Sequence, residues 1–269
     1  MTMRPPAHNH ETEVVAHPTT ATPGRMPAVF VGVGGPRQMW DEPWNAAFRT
    51  WAGQLPRPKA ILVFSAHWLE YPMAFGAQST VPLTYDYYNF PPHFYEVQYQ
   101  APGAPDLAVH VRELLDGKLE IADSERGLDH GVFIGLKGMY PDADVPVLEV
   151  SIPTFDPGVL FAIGRTLAPL RDEGVMIMGA GLVNHSSQNP AANAAFDAWV
   201  AETLDKRDFE ALLNYQTLGP GVAEALPTVE HFIPLLVVAG AAYDANDAIQ
   251  PAITGFSATG GSRRSIQFN

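Results

Sequence analysis

Runs rich in β-branched and apolar residues recur along the chain, at Val29-Phe30-Val31, Ile61-Leu62-Val63-Phe64, Val145–Ile152 and Val175–Ala180. All are of strand length, and the second has no polar interruption, which predicts a strand buried on both faces. Between the runs the period changes. Trp44, Phe48 and Trp51 are spaced by four and then three positions, placing all three on one helical face. Further helices are predicted at Arg37–Trp40, over Asp106–Leu115, from the Gly127–Gly131 loop through Met139, over Pro157–Arg171 and Ala191–Leu204, and from a start within Pro227–Leu236. Strands alternating with helices predict an α/β fold, a single domain with a central mixed β-sheet and helices on both faces.

Two segments fall outside that alternation. Pro82–Pro105 is dense in aromatic residues and prolines, which predicts an irregular loop lining a cleft. Residues 1–25 lack apolar periodicity and are expected to form a disordered or loosely docked extension, with the catalytic domain spanning 26–269. His8, His10 and His17 lie in that extension, where they offer at most adventitious metal binding.

Charge and composition narrow the function. With 16 basic against 29 acidic side chains, the formal net charge of -13 disfavours nucleic acid or an anionic membrane surface as partner. The absence of cysteine removes disulfides, thiolate nucleophiles and cysteine-held zinc or iron–sulfur sites, so a metal would rest on His, Asp and Glu. No apolar run approaches the roughly 20 residues needed to cross a bilayer, and a cytoplasmic location is expected. There is no Gly-x-Ser-x-Gly elbow. The glycines at Gly32, Gly34 and Gly35 complete neither a phosphate-binding loop nor a dinucleotide fingerprint.

Four histidines remain as the chemistry-bearing residues, because each falls at a strand end, in a loop or at an expected helix start. His67 ends the most apolar run, and His231 follows Glu230. Of that pair one is expected to bind a metal and the other to orient it, since consecutive helical side chains diverge by about 100°. His185 stands in a glycine-containing turn beside Asn184 and Ser186, a setting that suits a general base. His130, after Asp129, reads as a supporting residue; His93 and His110 read as structural. Binding groups gather at such positions in open α/β sheets, and a cysteine-free cleft of this kind suits zinc or non-haem iron.

Taken in order, Arg25-Met26-Pro27-Ala28, Ser65-Ala66-His67-Trp68, Asp129-His130-Gly131, Met139–Asp144 and Pro227-Thr228-Val229-Glu230-His231-Phe232 make the chain resemble the class III extradiol ring-cleavage dioxygenases, in the branch that includes the 4,5-DOPA dioxygenases. The resemblance implies Fe(II), or zinc in some members, and a small aromatic diol cleaved with O2. It implies metal ligands at His67 and His231, acid/base work at His185 (in some members found on the metal) and a histidine near substrate or oxygen at His130. It also places Val33 at a position where the family carries a metal-binding histidine, and Asn184-His185-Ser186-Ser187 where the family tends to read Val-His-Asn-Leu. His185 or Glu230 is then a candidate for the vacated place.

Two other functions fit the same residues. One is an aromatic-binding protein that lost redox chemistry along with the ligand at Val33. The other is a zinc- or metal-dependent lyase or hydrolase using His185 as base.

Overall fold

A computed structural model describes residues 13–14, 24–185, 189–245, 247–258 and 260–269. His8, His10, His17, Ser186 and Ser187 lie outside the described residues. The elements run β1 (Glu13–Val14), β2 (Ala28–Gly32), α1 (Glu42–Ala52), β3 (Ala60–Leu69), β4 (Met73–Phe75), α2 (Pro105–Leu115), β5 (Ile121–Asp123), α3 (His130–Met139), β6 (Val147–Ile152) and α4 (Pro157–Leu167). They continue with β7 (Val175–Gly181), α5 (Pro190–Asp205), the short α6 (Phe209–Leu213), α7 (Tyr215–Leu218) and α8 (Val222–Ala225), then α9 (Pro234–Tyr243), β8 (Ile249–Thr254) and β9 (Ser265–Phe268). Short 3-10 turns occupy Pro36–Trp40, Pro92–Tyr95 and Ala168–Glu173.

The described strands form one mixed sheet in the order β1-β8-β9-β2-β7-β3-β6-β4-β5. Its centre, β2-β7-β3-β6, is parallel; β9 joins β2 antiparallel and β4 joins β6 antiparallel. The alternation along β3 shows why the centre is apolar throughout. Leu62 and Phe64 enter the core beneath α4, α5 and α9, while Ile61 and Val63 enter the one beneath α1 and α3. With both faces covered, the Ile61–Phe64 run of β3 is apolar at every position and the period-2 signal disappears there.

Two boundaries differ from the sequence reading. The Pro157–Arg171 helix is α-helical only to Leu167, after which the chain tightens into 3-10 geometry. The last helix begins at Pro234, not within Pro227–Ile233, so Glu230 and His231 occupy a turn ahead of it. Pro227 and Pro234 both suit a first helical position, and the hydrogen bond from the Leu182 amide to the His231 carbonyl holds the segment between them as a turn.

Arg171 is fully buried at the base of the sheet. Its guanidinium donates to the carbonyls of Met26 (2.8 Å), Ala241 (2.9 Å) and Phe268 (3.0 Å) and pairs with Asp247. The start of β2, the end of α9 and the end of β9 are thereby joined through one side chain. At the opposite edge, the C-terminal ends of the parallel strands open onto a cleft, the position where open α/β sheets bind ligands.

Candidate metal centre and catalytic cleft

Val33 directly follows β2, His67 lies near the end of β3, and His185 follows β7. His130 is the first residue of α3, and His231 comes from the turn before α9. These five residues, drawn from separate parts of the chain, line a single cavity of about 480 Å³. The elements reach one another because of two glycines. A Cβ on Gly131 would lie 2.8 Å from His67 Cδ2, and one on Gly181 would lie 2.1 Å from the His231 carbonyl oxygen. At Gly181 the close approach brings the His231 carbonyl to the Leu182 amide at 2.8 Å, fastening the turn to β7.

Two carboxylates each face two imidazoles. Asp86 Oδ1 lies 2.7 Å from His130 Nδ1, and its Oδ2 lies 3.4 Å from His67 Nδ1. Glu230 Oε1 lies 3.0 Å from His231 Nδ1 and 3.7 Å from His185 Nδ1, and also accepts from Thr228 Oγ1 at 2.7 Å. The hydrogen bond from His231 leads in holding the Glu230 carboxyl down to about 2. Burial pushes Asp86 up, but the hydrogen bond and charge of His130 outweigh it and leave its carboxyl below the ordinary value. Both groups are therefore anions that only accept, so the ring nitrogens hydrogen-bonded to them, His130 Nδ1 and His231 Nδ1, are N–H donors.

Glu230 thus orients His231 in this geometry, and the divergence expected from a helical Glu-His pair does not arise in a turn. Ring orientation separates the histidines further. The His67 and His231 rings meet at 89° with centroids 4.9 Å apart, so their in-plane lone pairs can converge on one ion. His185 stacks on His231 at 3.8 Å and 16°. An ion roughly 2.1 Å from a nitrogen in one ring's plane lies out of the plane of a stacked ring, so His231 and His185 cannot both bind it in this arrangement. Burial first, and the neighbouring imidazoles second, push His67 down to about 3; burial and then His231 lower His185. Both are neutral at pH 7, the form that coordinates a metal or accepts a proton.

A third face of the site is apolar. Val33 is 3% exposed, and its Cγ2 lies 3.1 Å from where a Cβ on Gly135 would stand. It offers no donor. Among the described residues two groups have donor atoms close enough to hold a metal ion, His67 with Asp86 and His130, and His185 with Glu230 and His231.

The sequence reading missed the other walls. Arg263 sits 4.6 Å over the Trp44 ring and pairs with Asp41 at 2.9 Å, and all three line the cavity with Gln38 and Arg37. Asp86 was also missed, although it is the sole acid between Pro82 and Tyr95. The aromatic loop is irregular as expected, yet Tyr85 and Tyr87 turn their hydroxyls onto the loop's own backbone while Tyr88 is exposed. Tyr87 donates to the Phe94 carbonyl and Tyr85 to that of Val97, and Phe90 alone from this loop lines the cavity. The cleft lining expected of Pro82–Pro105 reduces to that one ring, which lines the cavity with Trp44. His110 is exposed between Glu113 and Glu173, away from the cleft.

Comparison with known proteins places this geometry in context. Residues 26–265 match the family model described as the catalytic LigB subunit of aromatic ring-opening dioxygenase. A 4,5-DOPA dioxygenase extradiol of Escherichia coli strain K12 is 37% identical over 261 residues, covering 90% of this chain and 94% of that protein. One of Beta vulgaris is 37% identical over 229 residues, covering 79% and 85%. A solved structure of an uncharacterised Escherichia coli K12 protein superposes with a TM-score of 0.74 at 31% identity, covering 91% of this chain and all of that one.

Proposed function

We infer, because this chain belongs to the family of the catalytic LigB subunit of aromatic ring-opening dioxygenases, that it is a non-haem Fe(II) extradiol dioxygenase acting on a small catechol-type diol with O2. The observation that carries the reading is the right-angled meeting of His67 and His231, each with a carboxylate at Nδ1. Fe(II), when bound by those two histidines, supplies the electron exchange with O2 that opens the ring.

The remaining work falls to this chain's own side chains. His185, neutral and beside the ligand pair, accepts the proton that the diol must lose on binding. Glu230 holds the His231 ring and steadies the imidazolium that forms on His185, 3.7 Å away. Trp44 and Phe90 bound the cavity for a flat ring, and Arg37 supplies positive charge at its wall, where Arg263 is paired with Asp41. That wall suits a diol carrying an acidic substituent, as DOPA does in the named relatives.

Anaerobic Fe(II) reconstitution followed by catechol and air tests this. The expected outcome is one iron per chain, O2 uptake and a yellow ring-opened product, with His185→Ala keeping the iron and losing turnover. Zinc retention without O2 uptake would point to a lyase or hydrolase instead. Val33 favours a second reading, an aromatic-binding protein without redox chemistry, which stoichiometric diol binding in the absence of bound iron would support.

A further inference from the structure

Asp86 belongs to no motif in the sequence, yet it makes the densest set of polar contacts around the His130 ring. Oδ1 accepts from the His130 backbone amide at 3.1 Å and faces Nδ1 of the same residue at 2.7 Å. His130 is the first residue of α3, so its amide is one of the helix's unpaired N-terminal donors. Asp86 satisfies it while the preceding residue, Asp129, caps the Val132 amide at 3.2 Å. The His130 side chain is 7% exposed and its ring lies 3.9 Å from that of His67, centroid to centroid, so it has little room to turn.

We propose that Asp86 is a positioning residue of the cleft, which fixes His130 in the Nδ1–H tautomer so that its Nε2 serves as the acceptor toward bound substrate. This rests on the dioxygenase reading for what His130 touches, but the tautomer is a property of the protein without substrate or metal. His67, Asp86 and His130 also form a group that could hold a metal ion, but Asp86 Oδ1 and His130 Nδ1 stand 2.7 Å apart, a hydrogen-bond separation, and the iron content of the Asp86 variants separates the two roles. A carboxylate hydrogen-bonded at Nδ1–H holds a catalytic imidazole in one tautomer and orientation in other enzymes.

Long-range 1H–15N NMR on metal-free protein reads the tautomer directly, the His130 signals being assigned by their loss in His130→Gln. The wild type is expected to show the Nδ1–H form alone, and Asp86→Ala to show a mixture in which the Nε2–H form is substantial. Asp86→Asn, which keeps an acceptor oxygen at the same place, should retain most of the Nδ1–H form. In the iron-loaded enzyme, Asp86→Ala should lower kcat about 100-fold with KM changed far less. Combined with His130→Ala, it should cost nothing further, because both changes remove one function. Unchanged His130 signals in Asp86→Ala would overturn the proposal. So would multiplicative losses in the double variant, or an iron content in Asp86→Asn that falls while its melting temperature holds, which would make Asp86 a ligand. An enzyme without dioxygenase activity leaves the NMR result standing, so the two readings fail separately.

Discussion

Val33 presents methyl groups to a cavity otherwise edged by His67, His130, His185 and His231. A branched apolar side chain there offers no donor to an ion. Val33→His is therefore expected to tighten Fe(II) binding at least about 10-fold, the scale on which even changes to supporting groups alter metal affinity. Competition with a chelator under argon measures this, and an unchanged affinity would mean that position 33 does not reach the ion. At this scale the sequence was legible where chemistry coincides with a boundary. His67, His130, His185 and His231 stand where apolar pattern breaks off, and the cavity gathers all four. Asp86 and Arg263 were not legible, because their partners His130 and Asp41 lie 44 and 222 positions away. A separation of that kind is created only when the sheet closes.

Among the elements, β6 and the start of α3 share a buried acid. Glu149 Oε2 accepts from the Asp129 amide at 3.0 Å, and Asp129 in turn accepts from Ser65 Oγ at 2.8 Å. Burial, followed by the charge of Asp129, raises the Glu149 carboxyl well above its ordinary value. The folded protein keeps that proton while the unfolded chain releases it above roughly pH 4.5. The unfolded state therefore binds fewer protons, and stability declines as pH rises from that point toward the folded-state value. Glu149→Gln keeps the shape and a donor toward Asp129 without an ionisable proton. Its melting temperature should gain on the wild type progressively between pH 5 and pH 8, and a constant difference would show that Glu149 does not titrate between the two states. The elements themselves were largely readable, since the strands follow from continuous apolar, β-branched runs and the Trp44–Phe48–Trp51 face from its period. The turn at Glu230 was misread as helix because Pro227 and Pro234 are both acceptable helix starts. Only the contact of His231 with β7 distinguishes them.

For the whole molecule, the α/β architecture followed from alternation, and the match over residues 26–265 agrees with it. The cleft's location followed from the sheet's parallel centre, but which residues wall it depended on the far end of the chain returning beside β2. Arg171 holds that return in place. Arg171→Met would leave the Asp247 carboxylate buried without its partner, and is expected to destabilise the fold by about 3–5 kcal/mol, measurable as a lowered urea midpoint. A loss below about 1 kcal/mol would show that the surrounding carbonyls find other donors. The same side chain makes the beginning of β2 and the end of β9 release together or stay together, since neither Met26 nor Phe268 can lift away without leaving a guanidinium N–H unpaired in the core. Amide protons of Phe30 and Ile266, far apart in the chain but paired across those strands, should then exchange with solvent through one shared opening event rather than by separate fraying from each end.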